Sequence, residues 1–114
     1  MSYIQKLTPG KVLNLREEVP LEEEQMLSKT LVQRPDLGMT LFSVATGQEI
    51  GRHTATGDAM VNILSGIAKI TINDQVSIVR AGETIVMPAN IPHSLYAEDG
   101  FQMLLVVVKP EVNA

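Results

Sequence analysis

The chain contains two histidines, His53 and His93, and each lies in a stretch marked by glycines and turn residues. Imidazole changes charge near neutral pH, and its ring nitrogens ligate transition metals. Two imidazoles brought together could hold a metal, move a proton or hydrogen-bond a ligand. The first stretch runs Gly47-Gln48-Glu49-Ile50-Gly51-Arg52-His53-Thr54-Ala55, continues through Asp58-Ala59 and closes at Gly66. The second runs from Gly82 through Met87-Pro88-Ala89-Asn90-Ile91-Pro92 to His93. There is no cysteine, so disulfides and thiolate chemistry are excluded. No nucleophile–base set, phosphate loop or cofactor-binding glycine motif accompanies the histidines.

The elements that must position these rings read as short strands. Ser28–Val32 and Met39–Ala45 flank the turn Pro35-Asp36-Leu37-Gly38. Met60–Leu64 is apolar, and Ala68–Ile72 alternates with period two. Asn73-Asp74 makes a hairpin turn to Val76–Ile78. Glu83–Met87, Ser94–Ala97 and Phe101–Val108 complete the set. Val12–Leu15 reads as a further short strand, and Glu17–Glu24, interrupted by Pro20, as a solvated acidic loop or single turn. Roughly eight to ten short strands with frequent turns predict an all-β antiparallel sandwich or barrel. The 114 residues make one domain: 1–35 as N-terminal strands and acidic loop completing the barrel, 36–110 as its core. Met60 and Leu64 point opposite to Val61 and Ile63, so the outer face of that strand needs a cover. A homodimer is the simplest one.

Composition narrows the function. Hydrophobic residues are 45% of the chain and charged ones 19%, a globular balance. The net charge of −4, with bases scattered and few aromatics, argues against nucleic acid. The longest apolar run, Met103–Val108, is too short to span a bilayer, and the N-terminus has no signal-peptide core. A cytoplasmic protein with a small-molecule partner and no membrane contact is the expectation.

The two histidine stretches resemble the paired signature motifs of the cupin superfamily. Gly47, His53 and Gly66 match the first motif; Gly82, Pro88 and His93 match the second. Asn90 stands at a motif glycine, a position suited to the left-handed backbone region. The match runs from Gly47 to Ala97, and the whole chain is similar to small single-domain bacterial cupins of the conserved-barrel, RmlC-like type. The resemblance implies a jelly roll, a double-stranded β-helix with a central pocket. In metal-binding cupins three His and one Glu of these motifs hold Fe, Mn, Ni, Zn or Cu. Here Ala55 occupies the second His position and Ala59 the Glu position. The ligand set the resemblance implies is therefore incomplete.

Strand phase then predicts the pocket. Strict alternation from His53 brings Glu49, Gly51 and Ala55 inward. Ala59, Val61 and Ile63 should line the next strand; Ile85 and Met87 precede Pro88 on the inner face; His93, Leu95 and Ala97 face the same space. Arg52 and Tyr96 fall out of phase and face away. This is an apolar cavity with two imidazoles at its polar end, suited to a small, partly apolar molecule. A divalent transition metal would need His53 and His93 plus a carboxylate, from Glu49 or from Asp58 re-aimed by Gly57. A metal-dependent oxygenase or isomerase, a metal-free isomerase with one His as general base, and a non-catalytic ligand sensor or dimeric scaffold all remain open. The plainer alternative is two hydrogen-bonded core histidines.

Overall fold

A computed structural model describes residues 2–111. A single helical turn, α1 (Leu15–Glu18), precedes seven strands: β1 (Met26–Arg34), β2 (Leu37–Val44), β3 (Glu49–His53), β4 (Asp58–Ile72), β5 (Gln75–Arg80), β6 (Thr84–Met87) and β7 (His93–Val108). All pairings are antiparallel, as the short turn-punctuated strands predict. Val12–Leu15 is not a strand. Asn14 instead caps α1, its Oδ1 accepting from Arg16 N at 3.1 Å, which suits a short polar side chain at that position.

The architecture rests on two long strands, each shared by two sheets. β4 and β7 pair from Asp58 opposite Val108 to Ile72 opposite His93. Sequence reading divided each of them into two strands. Their register shifts repeatedly between Ile63 and Ala68, and these bulges bend both strands through the corner of the barrel. Gly66 sits there at φ 79°, and a Cβ on it would run into the carbonyl oxygen of Gly100. No other residue type satisfies both the angle and the approach. One sheet is therefore β1-β2-β7-β4-β6, using the later half of β7 and the earlier half of β4. The other is β3-β7-β4-β5, using the opposite halves. The two face each other as a jelly roll.

The core fills the space between them. Val44, Val61, Ile63, Ala68, Ile70, Ala97, Phe101 and Met103 are buried, most of them clustered toward the bend. A second cluster, Val19, Leu31, Val32 and Leu41 with Leu7, Leu15, Leu64 and Leu104 against it, lies under the N-terminal segment. That segment is fastened by buried polar groups. Gln102 Nε2 donates to the carbonyls of Arg16 and Val19 at 2.6 and 2.8 Å, its Oε1 accepts from Ser65 Oγ at 2.7 Å, and Ser43 Oγ donates to Pro20 O at 3.0 Å. Leu64 is thus covered by the chain itself, whereas Met60 on the same face stays 39% exposed.

Candidate functional site

At the end of the barrel opposite the bend, the tips of both sheets meet around a cavity of about 110 Å³. His53 and His93 stand there on paired strands, directly opposite each other. Their Nε2 atoms are 3.1 Å apart and the rings meet edge to face, with centroids 4.4 Å apart. The cavity wall is otherwise apolar: Phe42, Ile50, Ala55, Ala59, Met87, Leu95, Met103, Leu105 and Val107. A wider groove of about 660 Å³ lies elsewhere, along Leu21–Glu24, Thr46 and Asp99, and contains neither ring.

The two rings are held differently. His93 is 2% exposed and opens β7 after a tight turn. Asn90 takes φ 64° in that turn, the left-handed geometry its position predicts. Neighbouring segments clamp the turn: Ala89 N donates to Asp58 Oδ1 at 2.9 Å, Asn90 N to Ala55 O at 2.7 Å, and Asn73 N to Pro92 O at 2.7 Å. All described peptide bonds are trans. His53 ends the short strand β3 and is exposed.

Hydrogen bonding sets the chemistry of the pair. A carbonyl oxygen can only accept, so His53 Nδ1 donates to Gly51 O at 2.7 Å and His93 Nδ1 to Ile91 O at 3.2 Å. Neutral rings in those tautomers present two Nε2 lone pairs to each other. Completing all three contacts takes three protons, one more than two neutral imidazoles carry. Burial, and then the proximity of His53, push the His93 pKa below 6.5, against the opposing effect of the Ile91 carbonyl. Neutral His93 is therefore favoured near pH 7, and two neutral rings in these tautomers lack one proton. A ligand O–H or N–H reaching this point would supply it.

Of the residues that strand phase turns inward, the structure brings His53, His93, Ala55, Ala59, Met87 and Leu95 together around the cavity. It is corrected elsewhere. Glu49 is exposed and paired with Tyr96, because β3 carries a bulge: Ile50 opposes Leu95 and His53 opposes His93, so three steps on β3 match two on β7. The extra residue reverses the phase, placing Ile50 inward and leaving Gly51 exposed in the bulge rather than in the pocket. Asp58 is exposed and caps the turn before His93 instead of turning inward. Val61, Ile63 and Ala97 are buried in the packed core beyond the cavity, and Ile85 packs against that core half-buried. Arg52 faces away, as its phase predicts, its Nη1 donating to Asn73 O at 3.2 Å.

Sequence reasoning missed Phe42, Ile50, Met103, Leu105 and Val107. Phe42 alternates in phase with Val44, and Met103, Leu105 and Val107 with Phe101, so period two carried a signal. Which strands share a wall was not in it. Among the described residues no group of three or more His, Cys, Asp or Glu side chains stands ready to hold a metal. Two imidazoles beside the methyl groups of Ala55 and Ala59 do not fit a resident transition-metal centre, which takes at least three protein donors.

Similar proteins share the architecture along nearly the whole chain. A conserved protein of unknown function from Streptococcus pyogenes is 63% identical, with a TM-score of 0.97 and 98% of each chain covered. A cupin superfamily protein from Desulfitobacterium hafniense is 28% identical, with a TM-score of 0.90 over 95% of this chain and 99% of that one. A cupin 2 conserved barrel domain protein from Leptotrichia buccalis is 44% identical, with a TM-score of 0.83 over 85% of this chain and 47% of that longer one. No curated protein matches. The Cupin domain family matches residues 40–109, well over half of the chain and containing both histidines. With the jelly roll and both signature turns in place, the chain belongs to the cupin family.

Proposed function

We propose that this barrel binds a small, partly apolar molecule, with His53 and His93 as its polar contacts. The observation that carries the reading is the pair of Nε2 atoms 3.1 Å apart at the head of an otherwise apolar cavity. The cavity is below the range of about 300–1,000 Å³ usual for drug-sized ligands. It suits a compact body of a few non-hydrogen atoms, or a larger one admitted when the exposed His53 ring swings aside. The head group is a hydrogen-bond donor, such as an alcohol, phenol, amide or protonated acid, directed at the two lone pairs. An enzyme would use the same pair: an imidazole with a depressed pKa is a general base near neutral pH. Neither Glu49 nor Asp58 joins the two rings in a group of three candidate donors among the described residues, which favours the metal-free reading.

A thermal-shift screen of small alcohols, phenols, amides and acids tests the reading, since a ligand of the folded state raises Tm through linkage. True ligands lose their shift in His53→Ala and His93→Ala. Shifts that persist in both variants overturn the reading. Elemental analysis of untagged protein tests the donor-set argument separately: near-stoichiometric metal that His53→Ala abolishes would show the pair to be ligands.

A further inference from the structure

The pocket at the histidines is one-sided in its hydrogen bonding. His53 Nδ1–H is engaged by Gly51 O and His93 Nδ1–H by Ile91 O, so each neutral ring turns only an Nε2 lone pair toward a ligand. None of the other lining side chains, Phe42, Met87 and Met103 among them, carries an N–H or O–H. The cavity therefore offers two side-chain acceptors, 3.1 Å apart, and no free side-chain donor. The acceptors also differ in access: His53 is exposed, whereas His93 is buried.

We infer, on the histidine-pocket reading just proposed, that the preferred head group is a primary ammonium carried on a compact apolar body. An ammonium has three donors and no acceptor, the complement of this site. Two of its N–H bonds serve the two Nε2 atoms, and the third reaches water beside the exposed His53 ring. An alcohol brings one proton to two lone pairs, and its own oxygen finds no side-chain donor in the cavity. A primary amide brings two protons, but also a carbonyl that would lie unpaired against the apolar wall. A buried polar group without a partner is costly in either case. A carboxylate sets negative charge against two lone pairs. Positive charge is drawn to those same lone pairs, and hydrogen bonds from an ionised donor are the stronger ones. Water at the exposed ring also limits the cost of bringing that charge in.

Isobutylamine, isobutanol, isobutyramide and isobutyrate share one branched carbon body and test the head group directly. Each is titrated into protein labelled with 15N at histidine, at about pH 7.5, where neutral His93 is favoured and the amine is an ammonium. With two histidines in the chain, each ring is read separately by NMR. Isobutylamine should move both Nε2 resonances and bind at least ~10-fold tighter than the alcohol or the amide, and isobutyrate should show no saturable binding. The N,N,N-trimethyl analogue, which keeps the charge and loses every N–H, should bind at least ~10-fold more weakly than isobutylamine. His53→Leu, at an exposed position and checked by circular dichroism, should bring the amine down to the alcohol's affinity. An alcohol or amide that matches the amine while moving both rings overturns the inference and leaves the histidine pocket standing. A trimethyl analogue as tight as the amine overturns it as well. If no member of the set moves either ring, the pocket reading and the ammonium inference fall together.

Discussion

The two ends of this barrel are built on opposite terms. At the bend, Gly66 and Gly100 bring two backbones into contact, and Ile63, Ala68, Ala97 and Phe101 fill the space behind them almost without exposure. At the tips, a bulge loosens β3, a cavity stays open, and one of the two facing rings is exposed. Close packing at one end allows looseness at the other: the strands are packed tightly where they bend, so their tips can diverge without unravelling the sheets. The lesson is a division along the strands, with the tightest packing at the bend and the open cavity at the tips.

The sharpest way to break this comparison is at the bend. Gly66→Ala meets both a left-handed φ and the Gly100 carbonyl, and should cost at least ~3 kcal/mol. For a chain of this size that lowers Tm by over 10 °C, at roughly 4 °C or more per kcal/mol, readable by calorimetry. A loss below about 1 kcal/mol would show that the bend is not where stability resides. Next is His93→Ala, which opens a buried polar site and should cost ~1–3 kcal/mol as well as abolish ligand-induced shifts. The counterpart His53→Ala should abolish the same shifts while changing unfolding free energy by less than about 0.5 kcal/mol, because the ring is exposed. Equal stability losses in the two variants would erase the distinction between a fixed ring and a movable one.

Two smaller effects sharpen the contrast further. Asp58→Ala removes the acceptor for Ala89 N and so loosens the turn before His93; about 1 kcal/mol of stability and a few-fold of ligand affinity should go with it. Acid gives the smallest signal. His93 titrates lower in the folded chain than its ordinary 6.5, so the unfolded chain binds the extra proton first. The stability this neutral ring contributes is whole above pH 6.5 and is lost as pH falls through that value toward the lowered one. Wild-type Tm should therefore fall more steeply than that of His93→Gln on acidification across this window. Parallel curves would argue that the ring is not depressed.

Much of this was legible from residue order. The turn at Asn73-Asp74, the left-handed Asn90 and the inward set His53, Ala55, Ala59, Met87, His93 and Leu95 follow from spacing, alternation and local turn chemistry. What escaped had physical causes. Ser65-Gly66 looks like a terminator, because glycine ends strands as readily as it bends them; only contact with Gly100 turns it into a corner. The bulge in β3 is unpaired backbone, and alternation counted along one strand has no means of registering it. Glu49 was placed inward and Ile50 missed for that single reason. Walls contributed by β2 and the end of β7 depend on which strands become neighbours, which is a property of topology.

The extra residue in β3 also makes the facing of this wall depend on a single position. An insertion or deletion between Gly51 and Arg52 would exchange which side chains look into the chamber and which look at water, in one step and along a whole edge. The bend, on the far side of the barrel, would not register the event. The lining of the chamber would thus change by a slipped frame rather than by accumulated substitutions.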